Sequence, residues 1–438
     1  MKIPKLYYAF GIFGSAIIIV AYVKWNGLQP ILETTERATV ALEKQLHSEQ
    51  SRIGQEVLYG IMFDAGSTGT RIHVFKFTQN PKETPKVIDE TFRGLRPGLS
   101  AYADNVDESA QGINELLAVA KEVIPMELWK STPLVLKATA GLRLLPGEKA
   151  QQLLDKVKEI FHASPFLVND DCISIMEGTD EGISAWVTVN FLTGRFTDPT
   201  KGTVGILDLG GGSTQITFHL SSEAASGQSS ASDIISFKMF NHVYQLYSHS
   251  YLGLGLRMAR LAVLGAIQGQ ALKEGEELTS PCSSPDFQGE WEHAKILYKI
   301  KGQKAGKPVY ESCLNKVAKI LKRKVHKKPE VKDIEFYPFS YYYDLATNFG
   351  LIDKEEGGTL TVSDFETAAN NACGNMEAHQ EQHPFLCMDL TYISLLLQKL
   401  GFPKSHNLKL VRKINNIEIG WALGATLRYM DSLSKLQY

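Results

Sequence analysis

The first clear pattern in the chain is an apolar run that gives way to a glycine-rich turn and then to an alternating stretch. Residues 57–63 are almost continuously apolar, and residues 72–77 alternate between apolar and polar side chains. Between them lies 64–71, with the sequence Asp-Ala-Gly-Ser-Thr-Gly-Thr-Arg. Apolar and alternating stretches on either side of a glycine-rich turn predict two strands joined by a short loop.

The same pattern occurs again much later in the chain. An apolar run at 203–207 precedes a second glycine-rich turn at 208–215, Asp-Leu-Gly-Gly-Gly-Ser-Thr-Gln, and a further apolar stretch follows. A repeat of this length indicates duplicated domains rather than a solenoid. Aligned on their aspartates, the two segments share Asp64 and Asp208, Gly66 and Gly210, Thr70 and Thr214, and Ile72 and Ile216.

Two such loops offer a specific chemistry. Glycines let the backbone approach a ligand, and successive N–H groups in a turn form a concave anion site to which Ser and Thr hydroxyls add donors. The aspartate at the head of each loop supplies the hard oxygen that Mg²⁺ and Ca²⁺ prefer. One loop alone is more typical of an ordinary hairpin. Two in equivalent positions predict a cleft that holds a polyphosphate from both sides, with a metal ion between the loops.

Three further segments combine small residues with charged ones. Residues 135–143 predict a strand that enters a small-residue turn and ends in a fixed positive charge. Residues 180–190 predict a helix that begins with Asp180 and Glu181, which by themselves are most simply charges that stabilise a helix N-terminus. Residues 415–425 are expected to open a small-residue helix that can pack closely against a neighbour.

The N-terminal segment bears on the compartment. Residues 6–23 carry no charge, follow Lys2 and Lys5, and reach about 27 Å as a helix, enough to span a thin bilayer. The lysines favour a cytoplasmic N-terminus, so we expect a signal anchor within 1–24 and a polar stem over 25–56. A cleaved signal peptide and a buried helix are the alternatives, and no clear small-residue cleavage site follows the apolar run.

Composition excludes several classes of protein. The chain has 438 residues, of which 44% are apolar and 21% charged, as in an ordinary globular protein of about two to four domains. Disordered chains, collagen and small disulfide scaffolds differ strongly from these values. The 46 basic and 48 acidic residues give a net charge of −2, so nucleic acid is not expected as a partner.

The five cysteines leave two interpretations open. In an oxidising lumen, Cys282 with Cys313 is one plausible disulfide and Cys373 with Cys387 another, and Cys172 is left over. In a reducing cytosol, all five would be thiols, more typical of core residues. The spacing contains no C-x-x-C that would indicate a zinc or redox centre.

Five segments together resemble the signature segments of a known family. They match, in order along the chain, those of the apyrase-like ectonucleoside triphosphate diphosphohydrolases, and the likeness extends from Tyr59 to the C-terminus. Within that family the chain is most similar to the branch of members five and six, which prefer nucleoside diphosphates. The segments are 64–71, 137–143, 178–190, 207–216 and 416–425.

The resemblance implies an α/β fold. It consists of two RNase H-like domains, as in the actin/Hsp70/sugar-kinase superfamily, whose mixed sheets flank an active-site cleft. By that analogy the first lobe comprises 57–178 together with 405–438, and the second lobe comprises 179–404. The repeat of the two glycine-rich turns is what such a duplication would leave in the sequence.

The resemblance also implies a reaction: hydrolysis of nucleoside diphosphates, preferably GDP, UDP and IDP, by direct attack of water, with Mg²⁺ or Ca²⁺ as cofactor. Glu181 matches the general base, and a carboxylate within reach of a bound water can take its proton as the oxygen attacks phosphorus. Ser213 and Gln215 match residues that position this water. Asp64 and Asp208 match the pair that holds the metal, through water molecules because Mg²⁺ dehydrates reluctantly.

Further matches complete the expected site. Trp421 matches an aromatic residue near the metal, and Tyr343 matches one that stacks on the base, although the run Tyr341–Tyr343 is also consistent with an aromatic core strand. Gly69 stands where triphosphate-using relatives carry a histidine, in line with a diphosphate preference. The phosphate-binding residues implied by the resemblance are Ser67, Thr68, Gly69, Thr139, Gly211 and Gly212.

By the same resemblance we expect a monomeric, luminal enzyme of the Golgi membrane, held by its N-terminal anchor, or present at the cell surface or secreted after release. The alternative function is phosphotransfer on the same fold, as in a sugar kinase or an exopolyphosphatase, and a third is nucleotide-dependent binding, as in actin or a chaperone. The anchor and the segment around Glu181 argue against the kinase. The set of Glu181, Ser213 and Gln215 argues against the binder.

Overall fold

The expected anchor, within 1–24, and most of the expected stem, 25–54, lie outside the residues that the computed structural model describes. Among the described residues, no helix is long and apolar enough to span a bilayer. By their internal contacts, Leu58–Phe77 and Val87–Tyr438 form one compact unit, and residues 78–86 belong to another. The described residues are 55–80, 83–220, 233–240, 242–267, 269–270, 272–273, 275–303, 307–376 and 383–436.

The first sheet is formed by β1 (Glu56–Ala65), β2 (Thr70–Gln79), β3 (Lys86–Leu95), β4 (Leu134–Ala138) and β5 (Ile173–Ile175). The spatial order is β3-β2-β1-β4-β5, and β1, β4 and β5 run parallel. The two strands expected on either side of the first glycine-rich turn are therefore confirmed as β1 and β2. Because β1 is the central strand, its carboxyl end brings the turn to the middle of the sheet edge, where α/β folds bind ligands.

The second sheet is formed by β6 (Gly205–Leu209), β7 (Ser213–His219), β8 (Ile234–Met239), β9 (His242–Leu252), β13 (Phe336–Ser340), β14 (Gly358–Thr361) and β15 (Asn407–Leu410). Its spatial order is β14-β15-β13-β6-β7-β9-β8. β7 is antiparallel to β6 and β9, whereas β13 is parallel to β6 and β15. Without the edge strands β8 and β14, the order β9-β7-β6-β13-β15 repeats that of the first sheet. The repeat seen in the sequence is therefore a structural duplication.

One expected boundary differs from the structure. The first lobe was expected to resume at residue 405, yet β15 pairs with β13 and β14 in the second sheet. The chain leaves this sheet only after Leu410, because the duplicated topology uses β15 as its fifth central strand. The sequence of β15, Asn-Leu-Lys-Leu, alternates like any half-buried strand and carries no sign of the sheet that it joins.

A small third sheet carries strands β10 (Leu278–Ser280), β11 (Gln288–His293) and β12 (Ile296–Gly302), in the order β10-β12-β11. Disulfides join Cys282 to Cys313 and Cys373 to Cys387, so both expected pairs are confirmed. Cys172 is a buried free thiol.

Most helices bury one apolar face, as α3 shows with Leu153, Leu154, Val157 and Phe161 at three- and four-residue spacing. The helix expected over 180–190 is confirmed as α4, and it is buried on nearly all sides because it packs between the second sheet and α10. The helices are α1 (Ser109–Val123), α2 (Ala140–Arg143), α3 (Lys149–His162), α4 (Gly178–Leu192), α5 (Leu256–Leu264), α6 (Val309–Leu321), α7 (Tyr341–Asn348), α8 (Val362–Gly374), α9 (Leu386–Leu400) and α10 (Ala422–Leu436).

The C-terminal helix starts later than expected. The segment 415–425 was expected to open a helix, but it first forms a hairpin of β16 (Lys413–Ile414) and β17 (Ile417–Glu418). The turn residues Asn415 and Asn416 have φ of 52° and 64°. Asparagine tolerates this left-handed region, which two-residue hairpin turns require, so the asparagine pair ends one strand and starts the next before α10 begins.

α10 packs closely against both α4 and β1. A side chain at Gly424 would overlap the main-chain oxygen of Ser184 in α4. On another side, a Cβ at Gly60 in β1 would approach Cγ2 of Thr426 to 2.6 Å. The close packing expected of this small-residue helix is therefore confirmed.

Gly424→Ala is expected to destabilise the protein by about 1–3 kcal/mol, the usual effect of forcing an extra group into a packed contact. The new methyl group would push α10 away from α4. Gly374→Ala is the matched control, since Gly374 also lies in a helix but a Cβ there meets nothing within 4 Å. Chemical denaturation of the two variants measures the difference, and equal stability of Gly424→Ala and wild type would contradict this packing.

Candidate active site

A cleft of about 420 Å³ lies at the carboxyl ends of β1 and β6, and both glycine-rich loops line it. Two of the expected site residues, Gly69 and Gln215, are not on its wall. The structure brings the others together around one space: Asp64, Ser67, Thr68, Thr139, Glu181, Asp208, Gly211, Gly212, Ser213, Tyr343 and Trp421.

The two loops face each other at contact distance. A Cβ at Gly211 would stand 2.7 Å from Oγ of Ser67 and 2.8 Å from Cγ2 of Thr68. The second loop is held by α5, whose first residues Leu256 and Arg257 donate backbone hydrogen bonds to the carbonyls of Gly210 and Gly211, at 2.8 and 3.1 Å. The expectation that the loops clamp one space from opposite sides therefore agrees with the geometry.

Gly69 belongs to the first loop but does not line the cleft. The N–H of Gly66 donates to the carbonyl of Gly69 at 3.1 Å and closes the turn. A Cβ at Gly69 would stand 2.8 Å from the main-chain oxygen of Leu95, at the end of β3. This glycine therefore shapes the loop, and a larger side chain such as histidine fits only if β3 moves.

Two aspartates stand in equivalent places, each at the penultimate position of its strand. Asp64 lies in β1 and Asp208 in β6, and the Oδ1 atom of each is buried with no hydrogen-bond partner in the described part of the chain. Nη1 of Arg71 donates to Oδ2 of Asp64 at 2.9 Å. Burial raises the pKa of Asp208 to about 6, although a hydrogen bond from Ser340 opposes the rise.

These two oxygens fit a divalent cation. Buried carboxylate oxygens that receive no hydrogen bond are unfavourable unless a cation binds them. The described residues contain no group of three or more His, Cys, Asp and Glu side chains placed to hold a metal. Two carboxylates, with water and phosphate oxygens completing the shell, are the arrangement that Mg²⁺ commonly adopts.

Glu181 lies in the first turn of α4 and is only 6% exposed. Arg143 donates to its Oε2, and Nε2 of Gln215 donates to the same oxygen at 3.2 Å. Among the described residues, no side chain donates to Oε1. Burial raises the pKa of Glu181 to about 8, Arg143 opposes the rise, and the charges of Asp208 and Asp64 add to it. Glu181 lines the cleft, and a carboxylate with a raised pKa in such a place can accept a proton from water.

Gln215 lies behind the cleft wall. Its side chain is buried, and Nε2 lies 2.8 Å from Oγ of Ser213 and 2.9 Å from Oγ of Ser250 as well as near Glu181. Gln215 therefore holds Glu181 and Ser213 in place, and it is Ser213 that reaches the cleft.

Two of the expected aromatic residues, Tyr343 and Trp421, line the cleft. The run Tyr341–Tyr343 is not a core strand, because β13 ends at Ser340 and α7 begins at Tyr341. Tyr343 is mostly buried, donates its hydroxyl to the carbonyl of Lys354, and lines both the cleft and an adjoining cavity of about 530 Å³. Trp421 lines the cleft just before α10 begins.

No role could be predicted from the sequence for several residues in the cleft or beside it. Arg71 and Arg143 end two of the motif segments, yet nothing in the motifs indicates that they bind Asp64 and Glu181. Ser340 has φ of 57°, a conformation that is strained for serine and is common at functional sites. The remaining lining residues without a sequence signal include His73, Phe92, Arg96, Asp344 and Arg412.

The chain matches a known protein family and several of its characterised members. Residues 50–437 match the GDA1/CD39 (nucleoside phosphatase) family. The chain is 56% identical to human ectonucleoside triphosphate diphosphohydrolase 6, over 99% of this chain and 91% of that protein. It is 50% identical to human nucleoside diphosphate phosphatase ENTPD5, over 87% of this chain and 89% of that protein.

A solved structure supports the fold. The crystal structure of nucleoside triphosphate hydrolases from Neospora caninum superposes with a TM-score of 0.59 at 16% identity, and covers 91% of this chain and 97% of that chain. At this identity the likeness bears on the fold alone.

Proposed function

Because the chain belongs to the GDA1/CD39 (nucleoside phosphatase) family, we propose that it hydrolyses nucleoside diphosphates to the monophosphate and phosphate with the help of a divalent cation. The observation that carries this proposal is the arrangement of the two loops. They face each other at contact distance and bring two unpartnered aspartate oxygens to the same cleft as Glu181.

The cation, Mg²⁺ or Ca²⁺, would be held by Asp64 and Asp208. When bound, it would neutralise charge on the phosphate oxygens. The backbone N–H groups and hydroxyls of the loops, with Ser67 and Thr68 on one side and Gly211 and Ser213 on the other, suit the two phosphates of the substrate.

Glu181 is the residue that can act as the base. Its Oε1 would take a proton from water as the water oxygen forms a bond to the terminal phosphorus and the bond to the bridging oxygen breaks, so that the nucleoside monophosphate leaves. Arg143 and Gln215 fix the carboxylate by its other oxygen. Tyr343, which lines both the cleft and the adjoining cavity, would stack on the nucleobase of the substrate.

A diphosphate preference, with GDP, UDP and IDP favoured, is supported by the name of one relative, a nucleoside diphosphate phosphatase. The tight packing of Gly69 against Leu95 agrees with it, since no phosphate-side donor can be added there without moving β3. The enzyme would work as a monomer in the Golgi lumen, on an N-terminal anchor or released from it. The two disulfides support an oxidising compartment.

Phosphate release by the full-length chain in detergent tests the proposal. GDP, UDP, IDP, ADP, GTP and AMP would each be offered with Mg²⁺, with Ca²⁺ and with a chelator. We expect release that needs the cation, is fastest from GDP, UDP or IDP, and is absent from AMP. Release that persists in the chelator, or that is fastest from GTP, would contradict the proposed cofactor or substrate.

The phosphotransferase alternative gives a different result in the same experiment. Transfer of phosphate to an added sugar, or release from polyphosphate without release from nucleoside diphosphates, would replace the proposal. Nucleotide binding without any phosphate release would favour a nucleotide-dependent binding protein. Family membership argues against both.

A further inference from the structure

The helix that carries Glu181 is also held from outside the cleft, by Arg428 of α10. Nη1 of Arg428 donates to Oγ of Ser184 at 2.9 Å and to the main-chain oxygen of Asp180 at 3.3 Å. Nη2 donates to Oδ1 of Asp180 at 2.9 Å. One guanidinium thus binds the first two turns of α4 at three acceptors.

These acceptors flank Glu181 in the sequence. Asp180 precedes it directly, and Ser184 follows one turn later. The contact with the carbonyl of Asp180 fixes the main chain itself, so it limits how α4 can rotate about its axis. The guanidinium is also fixed from another side, because it lies over the ring of Phe237 at 5.4 Å.

α10 connects the helix of Glu181 to the strand of Asp64. Thr188 of α4 accepts a hydrogen bond on Oγ1 from the N–H of Gly424 at 2.8 Å. Further along α10, Thr426 lies against β1, whose carboxyl end carries Asp64. Arg428 is therefore a charged contact of a helix that packs against both the helix of Glu181 and the strand of Asp64.

We propose that Arg428 is a positioning residue for the reaction, which fixes the first turn of α4 so that Glu181 faces the phosphate. This inference rests on the proposed function, because it takes Glu181 as the base. Arg428 lines a separate cavity behind α4 and not the cleft, so it acts without contact to the substrate. Displacing a reacting group by about 1 Å can lower a rate by about 10²-fold, so a loosened turn is expected to appear in kcat.

Arg428→Met in the full-length chain is expected to lower kcat by about tenfold and leave KM for GDP unchanged. Arg428→Lys should restore most of the rate, since an ammonium group can still bind Asp180. Arg195→Met is the matched control: Arg195 bridges Glu335 and the carbonyl of Lys201 just beyond the other end of α4, at 2.9 and 2.7 Å. It should keep the wild-type kcat. If Arg428→Met does not fold, Asp180→Ala combined with Ser184→Ala removes two of the three contacts and leaves the one to the main-chain oxygen of Asp180, so it should lower kcat in the same direction by a smaller factor.

A double-mutant cycle with Glu181→Gln separates positioning from a general structural effect. If Arg428 acts through the base, Arg428→Met causes no further loss of kcat in the Glu181→Gln background. An equal loss in both backgrounds, or wild-type kcat in Arg428→Met, would overturn the inference and leave the proposed function intact. Wild-type turnover in Glu181→Gln alone would instead remove Glu181 as the base, and with it the inferred role of Arg428, while the hydrolysis of nucleoside diphosphates would stand.

Discussion

Replacing Glu181 with glutamine is expected to lower kcat by about 10²–10⁴-fold, while nucleotide affinity stays close to that of the wild type. Glutamine has the same shape, so Arg143 and Gln215 can still contact the side chain from behind, but it cannot take a proton at neutral pH. The cleft wall and both loops are unchanged by this substitution, which is why binding should persist.

The pH dependence provides a second measurement on the same variant. Burial raises the pKa of Glu181 to about 8, so the ionised, active form becomes more abundant as the pH rises toward 8. Wild-type turnover should therefore increase over the neutral range, and residual turnover of Glu181→Gln should lack this increase. A cation bound beside the carboxylate would lower its pKa and move the rise to lower pH, in the same direction for every substrate.

Glu177→Gln is the matched control, because Glu177 is exposed, occupies the N-cap position of the same helix without a capping hydrogen bond from its side chain, and undergoes the same loss of charge. It should keep wild-type turnover. Phosphate release and nucleotide binding would be measured on both variants at saturating cation. If Glu181→Gln turned over GDP as fast as Glu177→Gln, Glu181 would have no part in proton transfer.

The glycine-rich loops could be predicted from the sequence because their chemistry is local. Glycines, hydroxyls and an aspartate within eight residues already specify a turn that binds anions, and the recurrence of the pattern indicates a duplication. The resemblance to the family added the order of the five segments, and the third of these segments identified Glu181 as the candidate base. The strands before and after each loop follow from apolar runs that are long enough to leave little ambiguity.

Other features depend on tertiary contacts that no local pattern encodes. Arg143 is sequence-distant from Glu181, and its charge could equally have tied down a loop. Gln215 looked like a residue of the cleft. It shares a face of β7 with Ser213, since the two are two residues apart, but it lies further from the loop and against α4, and only Ser213 reaches the cleft. The positive φ of Ser340 could not be predicted from the sequence, because it arises where β13 ends and α7 begins without a connecting loop.

Asp208→Asn is expected to abolish both the cation-dependent activity and the stabilisation of the fold by cation. In the wild type, Mg²⁺ or Ca²⁺ at 100 times its Kd should raise the free energy of unfolding by about 2.7 kcal/mol, because it binds only the folded state. The amide replaces one of the two oxygens that lack a hydrogen-bond donor with a neutral, weaker ligand. Phosphate release should fall to the level that the wild type shows in chelator.

Without cation, the same variant is expected to be more stable than the wild type at neutral pH. The folded pKa of Asp208, about 6, is above its ordinary value of 3.8. The folded state therefore holds the proton more tightly than the unfolded state, and this contribution to stability is complete below about pH 4 and is lost as the pH rises through 6. The free energy of unfolding of the wild type falls by about 3 kcal/mol over this range, at 1.36 kcal/mol per pKa unit. The asparagine side chain of the variant does not titrate, so the variant keeps this stability.

Calorimetric unfolding at pH 7.5 and pH 4, with cation and with chelator, measures both effects at once. Asp170→Asn serves as the control, since Asp170 is exposed and outside the cleft, and it should retain the cation-induced rise of the wild type. The gain of Asp208→Asn in chelator should shrink toward pH 4, where the wild-type carboxyl is protonated too. A cation-induced rise in Asp208→Asn equal to that in Asp170→Asn would place the cation away from Asp208, and the two unpartnered aspartate oxygens would then need another explanation.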